Sequence, residues 1–561
     1  MGGTVTWSRK DGLRPKACNS FDGDHGWHTE WPRIREVVPA ADGRPARYIL
    51  TMHGGWYDFP GTFSGTSSGG IRPLCSHLKI TADVAPWSLD GKPAIVFGCD
   101  DTAKSGFKNE LQNPRNDLTG RSNSNLWFTT WDGLSSLGRP AGTGYVWKQE
   151  SVQAGVPSDS MLLAGYDHGV VHVAHDGDST ATFTVSTGRE NDWKTVGIVT
   201  VPAHGYASFV LPHEGRGDWA RVTADHDLPG VTAVFRYGIR GGSSEDPGLF
   251  AALTDAGSME PWVGAVMRSG EGEALPLDVL TRAVDAGGPA AKTTAWQVQV
   301  GQPPVERAAD DPVASFLRDK ATPTSPDVSF DAASVILTEG KKVFRLPKPL
   351  DPLVAAAYEK PFATGWPRGM REVVTERSLL NAAGTFYVLP RVSSGGAAKI
   401  LPVCSHGKKI TDFCSWRGLL VLGGVAQSSA RAAEASSAAQ SRVIGPGVWA
   451  GDIDELWKLP RPTGRGGPWR MTPVEAGVAS DPYLMGGYDD KTLTLSHDHS
   501  APVCVTVQID PTGDGEWFRY AVLDVPAGSP LVYRFPRGFL AQWIRFTAAS
   551  ACRATATLTY E

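Results

Sequence analysis

Residues 31–38 read WPRIREVV, and residues 366–374 read WPRGMREVV. Comparing the chain with itself outward from this pair finds the same landmarks twice, over about 25–237 and 360–560. GGWYDFP (54–60) faces GTFYVLP (384–390), and PLCSHLKIT (73–81) faces PVCSHGKKIT (402–411). VQAGVPSD (152–159) faces VEAGVASD (474–481), AGYDHGVVHVAHD (164–176) faces GGYDDKTLTLSHD (486–498), and Trp219 faces Trp543. A series of matches in one order at nearly equal spacing establishes a tandem duplication.

Within each copy the local pattern is β. RYILTMHG, AIVFGCD, GVVHVAH, TATFTVSTG and YASFVLP are short, β-branched or aromatic, and often alternate. Asp-Gly, Gly-Gly and Pro-containing turns punctuate them. The fold class expected is all-β: a β-propeller-like core built from the duplication, with small β-sandwich-like modules. The expected boundaries are residues 1–180 and 353–500 for the propeller portions, 181–240 and 501–561 for the sandwich-like modules, and 241–352 for a connecting β region and linker. Helical signals are few; Pro312–Asp319 reads as a short helix, and residues 426–442 are low in complexity.

Composition narrows the class. The 561 residues are 41% hydrophobic and 20% charged, with 64 Gly, 41 Pro and 19 Trp, as suits a soluble globular chain rich in turns. A net charge of -5 without a basic run argues against a nucleic-acid partner. The start MGGTVTWSRKDG lacks the apolar core of a secretory signal, and no apolar run reaches the ~18 residues of a membrane span. Seven scattered cysteines without a close CxxC pair fit a reducing compartment, and the expected location is cytoplasmic.

The two copies act as controls on each other. Trp31, Arg33, Arg35, Glu36, Tyr57, Cys75, Ser76, His77, Tyr166, Asp167, His175 and Asp176 recur, and Arg35-Glu36 reads as a scaffold pair. His28, Glu30, His53, Asp58, Arg72, Asp100 and Asp101 occur only in copy one; Asp58 faces Val388, and Arg72 faces Leu401. An unpaired buried carboxylate costs several kcal/mol, so such groups reach solvent or serve a site.

Carboxylates among aromatic rings point to sugar. Ring faces stack on the C–H faces of pyranoses, while Asp, Glu, Arg and His hydrogen-bond hydroxyls. Hydrolysis of a glycosidic bond takes two carboxyls, one of them protonated. The catalytic candidates are therefore Glu30, Asp58, His28, His53 and Asp101. The substrate-binding candidates are Trp27, Trp31, Arg33, Trp56, Tyr57, Arg72, His77 and Asp100, with a hydrogen-bonded core histidine as the alternative for His77. A glycoside hydrolase acting on a small glycan or oligosaccharide is the leading expectation. The alternatives are a lyase acting beside a uronic acid, with histidine or tyrosine as base, and a non-catalytic glycan-binding or structural protein. No metal or cofactor is expected: His25 and His28 lack helical support for a zinc site, and HDGDST (175–180) lacks the glycine and glutamate of a calcium loop.

The GWHTEWPR, YDFP and ITDFCSWRG blocks resemble those of a group of bacterial β-propeller-like, glycan-related proteins that carry them in duplicate. Copy one matches in GWHTEWPRIRE and WYDFP, and copy two in ITDFCSWRG, so the resemblance covers nearly the whole chain. It implies a propeller-like fold and a link to glycans, and carries over no catalytic residue. A looser likeness, at the level of fold, is to propeller glycosidases and to propeller lyases acting on uronates.

Overall fold

The computed structural model describes residues 34–561 apart from 42, 53–54, 65, 101–124, 214–216, 241–244, 271–274, 375–376 and 431–441. Short β-branched and aromatic runs cut by glycine turns build almost wholly antiparallel sheets, and the protein is all-β.

Each copy opens with a four-stranded meander. In copy one its strands are Ile34–Val38, Arg47–Met52, Gly55–Phe59 and Arg72–Ser76; in copy two they are Met370–Val374, Arg377–Ala382, Thr385–Pro390 and Leu401–Ser405. The registers agree: Asp58 lies opposite Arg72, Val388 lies opposite Leu401, and both sheets bulge after the equivalent Trp56 and Phe386. A second meander follows. In copy one it is Ile80–Leu89, Lys92–Asp100 and Asn125–Thr129; in copy two it is Phe413–Trp416, Leu419–Gly423, Val448–Gly451 and Val443–Gly445. Val37, Ile49, Trp56, Ile95 and Phe97 form the core between the two meanders of copy one.

A β-sandwich closes each copy. In copy one, two four-stranded sheets between residues 141 and 238 share a core that includes Val171, Phe183, Val222, Ala233 and Phe235. The sandwich takes in more chain than the 181–240 expected from sequence, because Ala141–Val152 pairs along Leu228–Gly238. Copy two repeats this with Gly464–Val474 on Cys552–Tyr560, ahead of the expected 501 boundary. Both opening strands hold glycines, which weakens their β signal.

The duplication extends to single contacts. The hydroxyls of Tyr57 and Tyr166 lie 3.4 Å apart, and those of Tyr387 and Tyr488 3.2 Å apart. Trp219 Nε1 donates to Ser68 O, and Trp543 Nε1 donates to Ala398 O. Gly165 and Gly487 have φ of 85° and 83°, and a Cβ on either would lie 2.6 Å from the ring of the equivalent Pro73 or Pro402. Positive φ and close approach together require glycine at both places.

Between the copies lies a connector sheet of Trp262–Ser269, Leu277–Val284, Ala290–Val298 and Val305–Arg307. Pro312–Phe316 is helical, and it continues into Leu317–Ala321; together they cover one face of that sheet through Leu280, Ala295, Ala314 and Leu317. Met267, Leu277 and Val279 on the other face pack on Cys414, Trp416 and Val421 of copy two.

Each copy hooks into what lies beside it by the turn after its first meander. In copy one Leu78 N donates to Asp454 Oδ1 at 2.7 Å, and Arg377 Nη1 donates to Leu78 O and Lys79 O at 3.0 and 2.9 Å. In copy two the same turn meets the connector: Ala256 N donates to Gly407 O, and Lys409 N donates to Thr254 O, each at 2.8 Å. The sandwiches also meet. His172 lies against Leu540, Arg236 donates to Pro511 O, and Lys148 pairs with Asp514 at 3.1 Å. No helix among the described residues is long and apolar enough to cross a membrane.

Candidate functional site

Alternation along Gly55–Phe59 sends neighbouring side chains to opposite faces. Trp56 enters the core between the two meanders, where it is 2% exposed, stacks on His77 at 5.5 Å and meets Phe97 at 5.0 Å. Tyr57 points the other way, into a cluster with Leu50, Phe59, Ile71 and Leu162, and its hydroxyl meets Tyr166. His77 is buried, with Nδ1 2.7 Å from Lys79 O. Three residues expected to contact substrate are thus core residues. Strand alternation reads the same in sequence whether a face meets water or another sheet.

Asp58 and Arg72 are different. They face each other across adjacent strands where copy two has Val388 and Leu401. Asp58 is half-buried and Arg72 exposed. Burial lifts the Asp58 carboxyl above its ordinary range, and the charges of Arg47 and Arg72 oppose that lift. Of the remaining candidates, Trp27, His28, Glu30, Trp31, Arg33, His53 and Asp101 lie outside the described residues, and Asp100 ends the strand Lys92–Asp100. The structure therefore brings together Asp58 and Arg72, and separately Trp56 and His77.

Sequence comparison left out the acidic partners. Arg35 Nε donates to Asp83 Oδ1 at 3.0 Å, and the equivalent Arg371 Nη1 donates to Asp412 Oδ1 at 3.2 Å. Asp412 also receives the Arg368 guanidinium and the amide of Phe413, as Asp83 receives that of Val84. The ITADV and ITDFC segments differ by one residue, which a register shift between Thr81 and Asp83 absorbs. Aligned without that bulge, the two aspartates do not match; its signal is the extra alanine before Asp83.

The seam between copies holds a second ionic cluster. Lys79 is buried, its ammonium bonded to Asp452, 3.5 Å from Asp454 and 4.8 Å from the centre of the Trp127 ring. Burial pulls its pKa down while Asp454 pulls it up. A narrow crevice beside it, with room for no more than a water or so, is lined by Cys99, Asn125, Val373, Ser415 and Leu420.

The fold defines an all-β protein made of two meander-and-sandwich units joined by a connector sheet. No protein-family model matches the chain. No curated protein matches it either. Among solved structures, one of Bacillus endospore appendages, described as a novel family of disulfide-linked pili, aligns at 14% identity over 18% of this chain and 93% of its own, with a TM-score of 0.14. A crystal structure of PirA aligns at 13% identity over 18% of this chain and 83% of its own, with a TM-score of 0.11. A glycoside hydrolase family 32 structure from Bifidobacterium adolescentis aligns at 9% identity over 72% of this chain and 99% of its own, also with a TM-score of 0.11.

Proposed function

We propose that the protein is a binding scaffold, its meander sheets arranged as propeller-like blades, with the binding face on copy one. The blade arrangement is supported by the shared cores between successive meanders and by the turn with which each copy hooks into the next sheet. The observation that carries the binding role is the outer face of the sheet Ile80–Leu89, Lys92–Asp100 and Asn125–Thr129. It exposes Trp87 by 55%, Leu126 by 64%, and also Leu89 and Phe128, with Trp87 and Phe128 in ring contact. In copy two the same face is closed on the connector, and Trp416, the counterpart of Trp87, is buried. A contiguous exposed apolar patch on one copy, where its twin is covered, is the mark of an interaction surface.

A glycan-cleaving activity is the second reading. It rests on Asp58, whose burial raises its pKa in the direction a general acid needs. Both are tested by incubating the protein with a panel of oligosaccharides while following reducing ends and the ultraviolet absorbance of unsaturated sugars. The scaffold reading expects neither signal. Release of reducing ends that Asp58→Asn abolishes, with the thermal midpoint preserved, would overturn it.

A further inference from the structure

In copy two a socket at the end of the core between the two meanders holds a turn of copy one. Leu78 N and Lys79 N donate to Asp454 Oδ1 and Oδ2 at 2.7 and 3.4 Å. Arg377 Nη1 donates to Leu78 O and Lys79 O at 3.0 and 2.9 Å. One carboxylate and one guanidinium thus serve all four backbone polar groups of two successive residues. The Leu78 side chain is buried in one cluster with Val374, Val403 and Ile453.

Copy one has the counterpart of each of these groups. Arg47 lies opposite Val38 as Arg377 lies opposite Val374, and Leu74 before Cys75 matches Val403 before Cys404. LWFTTWDGLSSLGRP (126–140) aligns without a gap on VWAGDIDELWKLPRP (448–462), and Ser76 N donates to Gly138 O as Ser405 N donates to Pro460 O. That alignment makes Trp131 and Asp132 the equivalents of Ile453 and Asp454. No described residue fills this second socket. Val38, Leu74 and Trp131 are half-buried, whereas their equivalents are buried with Leu78. Arg47 and Asp132 are exposed, whereas Arg377 and Asp454 are buried. The Arg47 guanidinium lies 4.3 Å from the centre of the Trp131 ring, and among the described residues neither it nor the Asp132 carboxylate has a hydrogen bond or ion pair. A half-open apolar wall beside an unused donor and an unused acceptor is what the copy-two site becomes when its turn is taken away.

We propose that Val38, Arg47, Leu74, Trp131 and Asp132 form a socket that receives a tight turn of a partner protein. Asp132 accepts from two successive amides of the guest, and Arg47 donates to the two carbonyls, in the charge-assisted bonds that Asp454 and Arg377 make in copy two. An apolar side chain of the guest enters between Val38, Leu74 and Trp131, as Leu78 does between their equivalents. The residue after it is free to vary, because Asp452, which takes the Lys79 ammonium, is Thr130 in copy one. A second copy of this chain is disfavoured. Its turn at Leu78 is already held by Asp454 and Arg377, and the matching turn of copy two is held by Thr254 and Ala256. The socket belongs to the core side of the second meander, whereas Trp87 and Phe128 stand on its outer face, so the proposal goes beyond the scaffold reading and fails or holds apart from it.

The test uses the full chain and a fluorescein-labelled synthetic peptide, SHLKIT, the sequence of residues 76–81, with fluorescence anisotropy as readout. The copy-two socket is filled by the chain itself and does not compete. Wild type binds the peptide saturably, and a peptide with Asp in place of its Leu does not bind. Asp132→Ala and Arg47→Met each weaken binding at least about tenfold, the equivalent of one lost hydrogen bond. Methionine keeps an apolar stem over Trp131 and removes only the donors. Both variants melt close to wild type in circular dichroism, since both residues are exposed. Absence of saturable binding to wild type, or binding that both variants leave unchanged, overturns the proposal. So does a fall in thermal midpoint for Asp132→Ala as large as that for Asp454→Ala, which would seat a segment of this chain in the socket. A wild-type dimer in sedimentation that Asp132→Ala dissociates overturns it too, by making the guest a second copy. Peptide binding that Trp87→Ala removes and Asp132→Ala leaves intact would overturn the socket while the scaffold reading stands.

Discussion

Replacing Asp412 by Ala is expected to destabilise the protein by about 3–5 kcal/mol, whereas Asp83→Ala at the equivalent place costs about 1 kcal/mol or less. Asp412 is fully buried and takes hydrogen bonds from Arg368, Arg371, Met267 N and Phe413 N. Without its carboxylate, two guanidiniums that are themselves buried lose their counter-charge, and two amides lose their acceptor. The Arg35–Asp83 pair is made of the same residue types, but water reaches both partners and screens what is lost. Asp412→Asn separates the two contributions, since it keeps an acceptor oxygen and removes the charge. Urea unfolding of the three variants against wild type measures the difference. Equal losses for Asp412→Ala and Asp83→Ala would show that burial does not govern the pair.

Stability is expected to fall by about 4 kcal/mol between pH 7 and pH 5 through His172 and His406. His172 is buried between the sandwiches, its Nδ1 accepting from Tyr206 Oη at 2.7 Å and its Nε2 donating to Leu540 O at 2.8 Å. His406 accepts from Lys408 N at 3.0 Å on Nδ1 and donates to Asn381 Oδ1 at 3.0 Å on Nε2. Both rings are fully bonded as neutral imidazoles. Burial pushes each pKa down to about 3; the Arg236 and Lys408 charges push the same way, and the Leu540 carbonyl opposes at His172.

In the unfolded chain these histidines take up protons near pH 6.5, and in the native chain they do not. The unfolded state therefore binds more protons at every pH between those values, and each histidine removes up to about 1.4 kcal/mol per pH unit. His168, also held down by burial, adds in the same direction. Denaturant unfolding at pH 7, 6 and 5 gives the slope, and His172→Asn lowers it by up to about 1.4 kcal/mol per pH unit. A flat profile over this range would refute the assignment of both rings as neutral.

The order of landmarks in the tandem copies was legible in the sequence. Asp58 was matched to Val388 and Arg72 to Leu401, and the structure adds that Asp58 and Arg72, like Val388 and Leu401, lie across adjacent strands in their own copy. The direction in which side chains face was not legible. Trp56, Tyr57 and His77 look like a binding set when read in line, yet alternate residues leave the strand on opposite sides, and both sides are roofed. Asp83 and Asp412 escaped notice because a single inserted residue displaces them, and only the pairing with Arg35 and Arg371 shows their equivalence.

The contact between the two sandwiches bears on how the chain comes to be made. Tyr145, Lys148, His172 and Arg236 are satisfied by groups of residues 511–540, between 275 and 368 positions later. A ribosome delivers the first sandwich long before those partners exist, and it does so at roughly 5–20 residues per second. For that interval, tens of seconds at the slower rate, a sheet surface destined for the interior stands in water. Copy one is the earlier half to be synthesised and the later half to be finished, so its maturation is timed by the far end of its own chain.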